Sequence, residues 1–83
     1  MNDLGEIRFV LAGVAEQLGS AYQHAGVARD RIADAVAVLD GLAPQHSEPL
    51  VPVELQRAAE ELDRGLGFIS GGAAVVADID ARL

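Results

Sequence analysis

Apolar residues recur at alternating steps of three and four along the first half of the chain: Leu4, Ile7, Leu11, Val14, Leu18, Ala21, Ala25, Ala28, Ile32, Ala35, Leu39 and Leu42. Residues three and four apart share one face of an α-helix, so an unbroken run of this kind marks a narrow seam that must pack against another helix. The spacing predicts a first helix over residues 4–42, about 58 Å long at 1.5 Å per residue. Asn2 or Asp3 is placed to cap it, with Glu6 in capping-box position after Asp3. Both acids suit the positive end of the helix dipole. Asp40-Gly41 is the expected stop.

Pro44, Pro49 and Pro52 fall in the next stretch, where missing amide donors and restricted neighbours predict a loop over residues 43–52. Pro52 is eligible as the first residue of a second helix. The period returns with Leu55, Ala59, Leu62, Leu66, Ile69, Ala73, Val76 and Leu83, broken at Asp80, where Ile79 takes over. This predicts a helix over 53–83. Two long helices and a short connection make an all-α, two-helix antiparallel hairpin, one unit over residues 1–83.

The flanks of the seam extend this picture. Val10, Tyr22, Val36 and Val38 widen the apolar stripe toward its ends, while Gln17, His24, Arg29 and Arg31 make it polar near the middle. An arc broader than a coiled-coil seam suits a helix with two neighbours, which a dimer of hairpins supplies. The expected assembly is therefore a homodimeric four-helix bundle. Its expected contacts are the seam positions of the first helix with Tyr22 beside them, and Leu55, Leu62, Leu66, Ile69 and Val76 of the second. Gly5, Gly13, Gly19, Gly26 and Gly41 lie opposite the first seam, as tolerated surface residues or as an approach face. Gly65 and Gly72 lie beside the second seam, where with Ala58, Ala59 and Ala73 they permit a close helix crossing or, at Gly71-Gly72, a hinge. Arg57, Glu60, Glu61 and Arg64 read as a solvated face with four-residue pairs Arg57–Glu61 and Glu60–Arg64.

Composition adds a reason to associate. Of 83 residues 51% are hydrophobic but only 4% aromatic, so the chain offers many small contacts and few large ones, with no cysteine to staple them. Thirteen acids against six arginines give a net charge of −7, and there is no lysine. Such a surface repels nucleic acid and anionic membranes, so neither is an expected partner. No stretch reaches the roughly 18 apolar residues of a membrane span, and the N-terminus lacks the build of a signal peptide. The expected location is cytoplasmic, with signal-independent export left open.

Candidate chemistry is thin. A di-metal carboxylate bundle needs histidine three residues after inward glutamates, and Phe9, Gly19, Val51, Arg57, Asp63 and Arg64 stand there instead. His24, beside Tyr22 and Gln23, and His46, near Glu48, lack ligand spacing. Ser20, Ser47 and Ser70 have no acid-base pair that the sequence places near them, and the Gly-Gly pair has neither the strand nor the lysine of a phosphate loop. No enzyme activity, cofactor or metal is expected.

The alanine-rich seam, the opening Asp3-Leu4-Gly5-Glu6-Ile7-Arg8, the loop Gln45-His46-Ser47-Glu48-Pro49-Leu50-Val51 and the ending Ile79-Asp80-Ala81-Arg82-Leu83 resemble the small helical-hairpin proteins of actinobacteria. Members of that group occur alone or ahead of toxin-like domains, so the resemblance implies an association or delivery module. The chain is more distantly similar to the WXG-type hairpins of type VII secretion, from which it departs in having no tryptophan, no Trp-x-Gly turn and Gly26 rather than an acid four residues after Tyr22. The expected function is a self-associating interaction module with an acidic surface. Two other readings stand beside it: an acidic chaperone or neutralising partner that holds another protein's helix, and a small-molecule or metal-binding bundle around an interior His24, Tyr22 and Gln23.

Overall fold

A computed structural model describes residues 3–83. Helix α1 spans Asp3–Leu42, a single 3₁₀ turn follows at Ala43–Gln45, and helix α2 spans Val53–Arg82. The two helices pack side by side into a rod of 69 × 15 × 14 Å. Asn2, the alternative cap, lies outside the described residues. The chain is thus all-helical and folds as an antiparallel helical hairpin.

The connection forms in a way the prolines only partly predict. α1 runs through Gly41 to Leu42, and no described glycine has positive φ, so Gly41 does not make the left-handed stop that a helix-ending glycine usually provides. Termination falls instead to Pro44 in the 3₁₀ turn and to His46, whose extended backbone (φ −129°, ψ 149°) leads away while its N–H donates to the Ala43 carbonyl at 3.0 Å. Pro52 sits one position before α2 rather than as its first residue. Its ψ of 142° is extended, and its carbonyl accepts the Leu55 N–H at 3.1 Å. That is the geometry of a helix N-cap.

Along α1 the half-buried line runs Leu11, Val14, Leu18, Ala25, Ala28, Ile32, Val36 and Leu39; along α2 it runs Leu55, Ala59, Leu62, Leu66, Ile69, Ala73 and Val76. Val36 replaces Ala35, which is exposed. An ideal helix drifts by about 20° per heptad against a strict seven-residue repeat. From Ile7 to Ala35 is four heptads, so the accumulated drift nearly equals one residue. The step Ala28–Ile32–Val36, four and four, absorbs it.

Register follows from the pairs the helices bring together. Arg29 meets Asp63, Tyr22 shares a groove with Ile69, and Arg8 and Leu11 share one with Val76 and Asp80. In this register α2 ends about level with Arg8, so the first turn of α1 has no helix beside it. Leu4 and Ile7 are exposed for that reason. Both helices are continuous: α1 passes through Gly19 and Gly26, and α2 through Gly71-Gly72 without a hinge. A Cβ built at Gly65 or Gly72 meets nothing within 4 Å, so no tight α1–α2 crossing is made there. Two rods touch along a single line, and that line is already filled by Leu62, Leu66 and Ile69.

Candidate interaction surface

The consequence of packing only two helices is a very thin core. Among the described residues Leu66, 6% exposed, is the single buried side chain. A chain of 8.6 kDa folded to ordinary compactness buries about 7,800 Å². This hairpin, with 6206 Å² exposed, buries about 6,300 Å² on the same scale. The extra exposed surface includes large apolar side chains: Phe9 is 80% exposed, Phe68 72% and Val75 57%, and Leu4, Ile7, Val10, Tyr22 and Val38 are exposed as well.

Charge is absent from much of that surface. No charged residue occurs from Gly65 to Ala77, about 20 Å of helix at 1.5 Å per residue, and on α1 Glu16 is the sole charge between Phe9 and Ala28. The charged residues gather toward the loop end and at the termini. Arg29 hydrogen bonds to Asp63 at 3.2 Å across the two helices and to Asp30 at 3.1 Å. Those bonds, Asp63 first, raise its pKa above the usual guanidinium value and keep it cationic. On α2 the solvated face is paired differently from its four-residue spacing: Arg64 bonds Glu61, three residues back, at 3.0 Å. The acid there precedes the base, the order the helix dipole favours, which Arg57–Glu61 reverses. Arg82 pairs with Asp78 at 3.2 Å.

Shallow grooves follow the rod, three of them formed by described residues. The largest, about 370 Å³, lies between the helices beside Leu18, Gly19, Tyr22, Ile69 and Ala73. A second of about 330 Å³ lies at the start of α1 against Ile7, Val10 and Leu11, and a third of about 210 Å³ between Leu11 and Val76. All are open troughs with mainly apolar walls; Gln23 and Ser70 edge the first, Asp3 and Glu6 the second, and Arg8 and Asp80 the third. Tyr22, Gln23 and His24 are exposed, not interior, because a two-helix rod has one dry line and wet flanks. Tyr22 and Gln23 line the largest groove, and His24 is absent from that wall. The His24 Nδ1–H donates to the Ser20 carbonyl at 2.8 Å and lies 3.3 Å from Ser20 Oγ, within its own helix. Among the described residues no three His, Asp or Glu side chains converge on a metal position. No helix there is long and apolar enough to cross a membrane.

Of the residues expected at helix contacts, Leu11, Val14, Leu18, Ala25, Ala28, Ile32, Leu39, Leu55, Leu62, Leu66, Ile69 and Val76 lie along the α1–α2 line, while Leu4, Ile7, Ala21 and Tyr22 are exposed. A further set was hidden in the same pattern. Phe68 and Val75 stand on the outer side of α2, each next in sequence to a buried-line residue, Ile69 or Val76, and Ile79, expected to continue the buried line at Asp80, is exposed and follows Val75 by four residues instead. Their signal is a second period offset by one residue from the first. Comparison with protein-family models, with curated proteins and with solved structures finds no match.

Proposed function

We propose that this hairpin is a non-enzymatic protein–protein interaction module that associates with a second copy of itself, completing a four-helix bundle and leaving an acidic surface outward. The observation that carries the reading is that, among the described residues, a single side chain is buried beside thirteen large exposed apolar ones. Two such hairpins, packed as compactly as a protein of twice the mass, bury at most about 4,600 Å² in total. Half of that still exceeds the roughly 1,200–2,000 Å² of a standard stable interface, and obligate homodimers span about 2,000–5,000 Å². The resemblance to actinobacterial hairpins that stand alone or precede toxin-like domains supports a role in association or delivery.

Light scattering behind size exclusion over a range of concentrations, with circular dichroism on the same samples, tests this reading. A helical dimer is expected. A chain that stays monomeric at every concentration overturns self-association. Recovery of a one-to-one complex with a basic helical protein in place of the dimer favours the acidic-partner reading, in which the same apolar flanks hold a foreign helix.

A further inference from the structure

The outer side of α2 carries a complete seam of its own. Gly65, Phe68, Gly72, Val75 and Ile79 succeed one another at steps of three, four, three and four, the spacing of a coiled-coil contact line. On a helix of 3.6 residues per turn this line is rotated by roughly 100° from the buried one. It is largely unpartnered within the hairpin: Phe68 and Val75 are among its most exposed apolar side chains, and nothing lies within 4 Å of a Cβ built at Gly65 or Gly72. Glycine lowers helix propensity at both positions, and the packing of α1 on α2 does not ask for it.

We propose that this line docks on the same line of a second copy, the two α2 helices running antiparallel about a twofold axis at Gly72. The inference rests on the self-association proposed above and names its surface and orientation. Gly72 is the midpoint of the line. Antiparallel pairing about it sets Gly65 of each copy opposite Ile79 of the other, so Ile79 meets a gap, places Phe68 against Val75-Val76, and brings the two helices closest where Gly72 faces Gly72. This is the self-complementarity that a twofold interface requires. Parallel pairing sets Phe68 against Phe68 and Ile79 against Ile79, and leaves the gap at Gly65 facing another gap.

Charge selects the same orientation. The line is uncharged from Gly65 through Ile79, except that Asp78 flanks it, and its continuation toward the loop is Glu61. In the antiparallel arrangement Glu61 falls level with Leu83 and beside Arg82 of the second copy, opposite charges at the rim. In the parallel one Glu61 meets Glu61, a like-charge contact that disfavours the pairing.

The chain has no cysteine, so single-cysteine variants report on the interface without background. Wild-type protein is first sized by light scattering, and G72C, G65C and G19C are then treated with a short bis-maleimide crosslinker. Expected is a covalent dimer from G72C and none from G65C, whose two thiols stand about 21 Å apart along antiparallel helices. G19C, beside the Tyr22 groove on the other flank, is expected to stay uncrosslinked. A mixture of G65C with a size-tagged I79C crosslinks as a pair, which keeps the test decisive should G72C weaken the close approach. A wild-type monomer overturns the self-association itself. A wild-type dimer in which G65C crosslinks to itself, or G19C does, or the G65C and I79C mixture does not, overturns this surface or its orientation while self-association stands.

Discussion

Two phenylalanines of nearly equal exposure give the sharpest perturbation. Phe68 is 72% exposed and Phe9 80% exposed, so in an isolated hairpin truncating either to alanine changes little, within about 0.5 kcal/mol. Phe68 lies on the outer line of α2. Phe9 lies nine residues, two and a half turns, from Leu18 of the buried line and therefore on the far side of α1. A phenylalanine side chain presents about 200 Å², of which roughly 140 Å² is uncovered at Phe68. Covering that area at about 25 cal/mol/Å² contributes about 3.5 kcal/mol, and truncation to alanine forfeits about 2–3 kcal/mol of it. Twofold symmetry counts the loss twice, about 5 kcal/mol per dimer, and each 1.4 kcal/mol is tenfold in the dissociation constant.

Phe68→Ala is therefore expected to weaken the dimer by about a thousandfold or more, and Phe9→Ala by less than about threefold. The assay is the concentration dependence of light-scattering mass, with thermal melts by circular dichroism at matched concentrations, because a dimer's apparent stability follows its concentration. In water both residues begin alike, so a difference between them reports the second copy and nothing else. Equal effects of the two truncations, or a larger one from Phe9→Ala, refute the reasoning.

Leu66→Ala removes the one buried side chain among the described residues and is expected to cost about 2–5 kcal/mol, read as a loss of helicity or a large fall in melting temperature. Leu18→Asp or Ile32→Asp places an unpaired charge on the α1–α2 line and is expected to unfold the hairpin, whereas Glu60→Ala on the exposed face is expected to be silent in the same melts. Arg29→Ala breaks an exposed, solvent-screened inter-helix ion pair and is expected to leave the melting temperature nearly unchanged. Because the folded pKa of Arg29 is raised, its contribution is complete below the ordinary guanidinium value and is lost only above it, so this pair adds no slope to stability near neutral pH. Added salt is expected to tighten the homodimer by screening two bodies of charge −7, whereas it loosens any complex with a basic helix; the sign of the salt dependence in light scattering or pull-down separates the two.

What the sequence made legible was the contact between its own two helices. The three-four spacing located both helices and most of the buried line, because a hairpin has few other ways to hide Leu18, Ile32, Leu62 and Leu66. It misplaced Ala35, since a strict repeat ignores the drift of a straight helix, and it left open whether Gly65 and Gly72 admit a neighbouring helix or Gly71-Gly72 a hinge; α2 runs straight through the pair, and α1 does not approach either glycine. The outer line of α2 was illegible for a different reason. Phe68 and Val75 each stand one residue before a member of the buried line, so the segment from Leu66 to Val76 reads as one apolar stretch whose first period absorbs the second. Only burial separates them: Leu66 is covered and Phe68 is not. A helix that is apolar along two lines about a quarter-turn apart needs two neighbours. The hairpin supplies one, and the glycines on the uncovered line, unused by the fold, fit a second copy of the same helix, Gly65 as the gap for Ile79 and Gly72 as the point of closest approach.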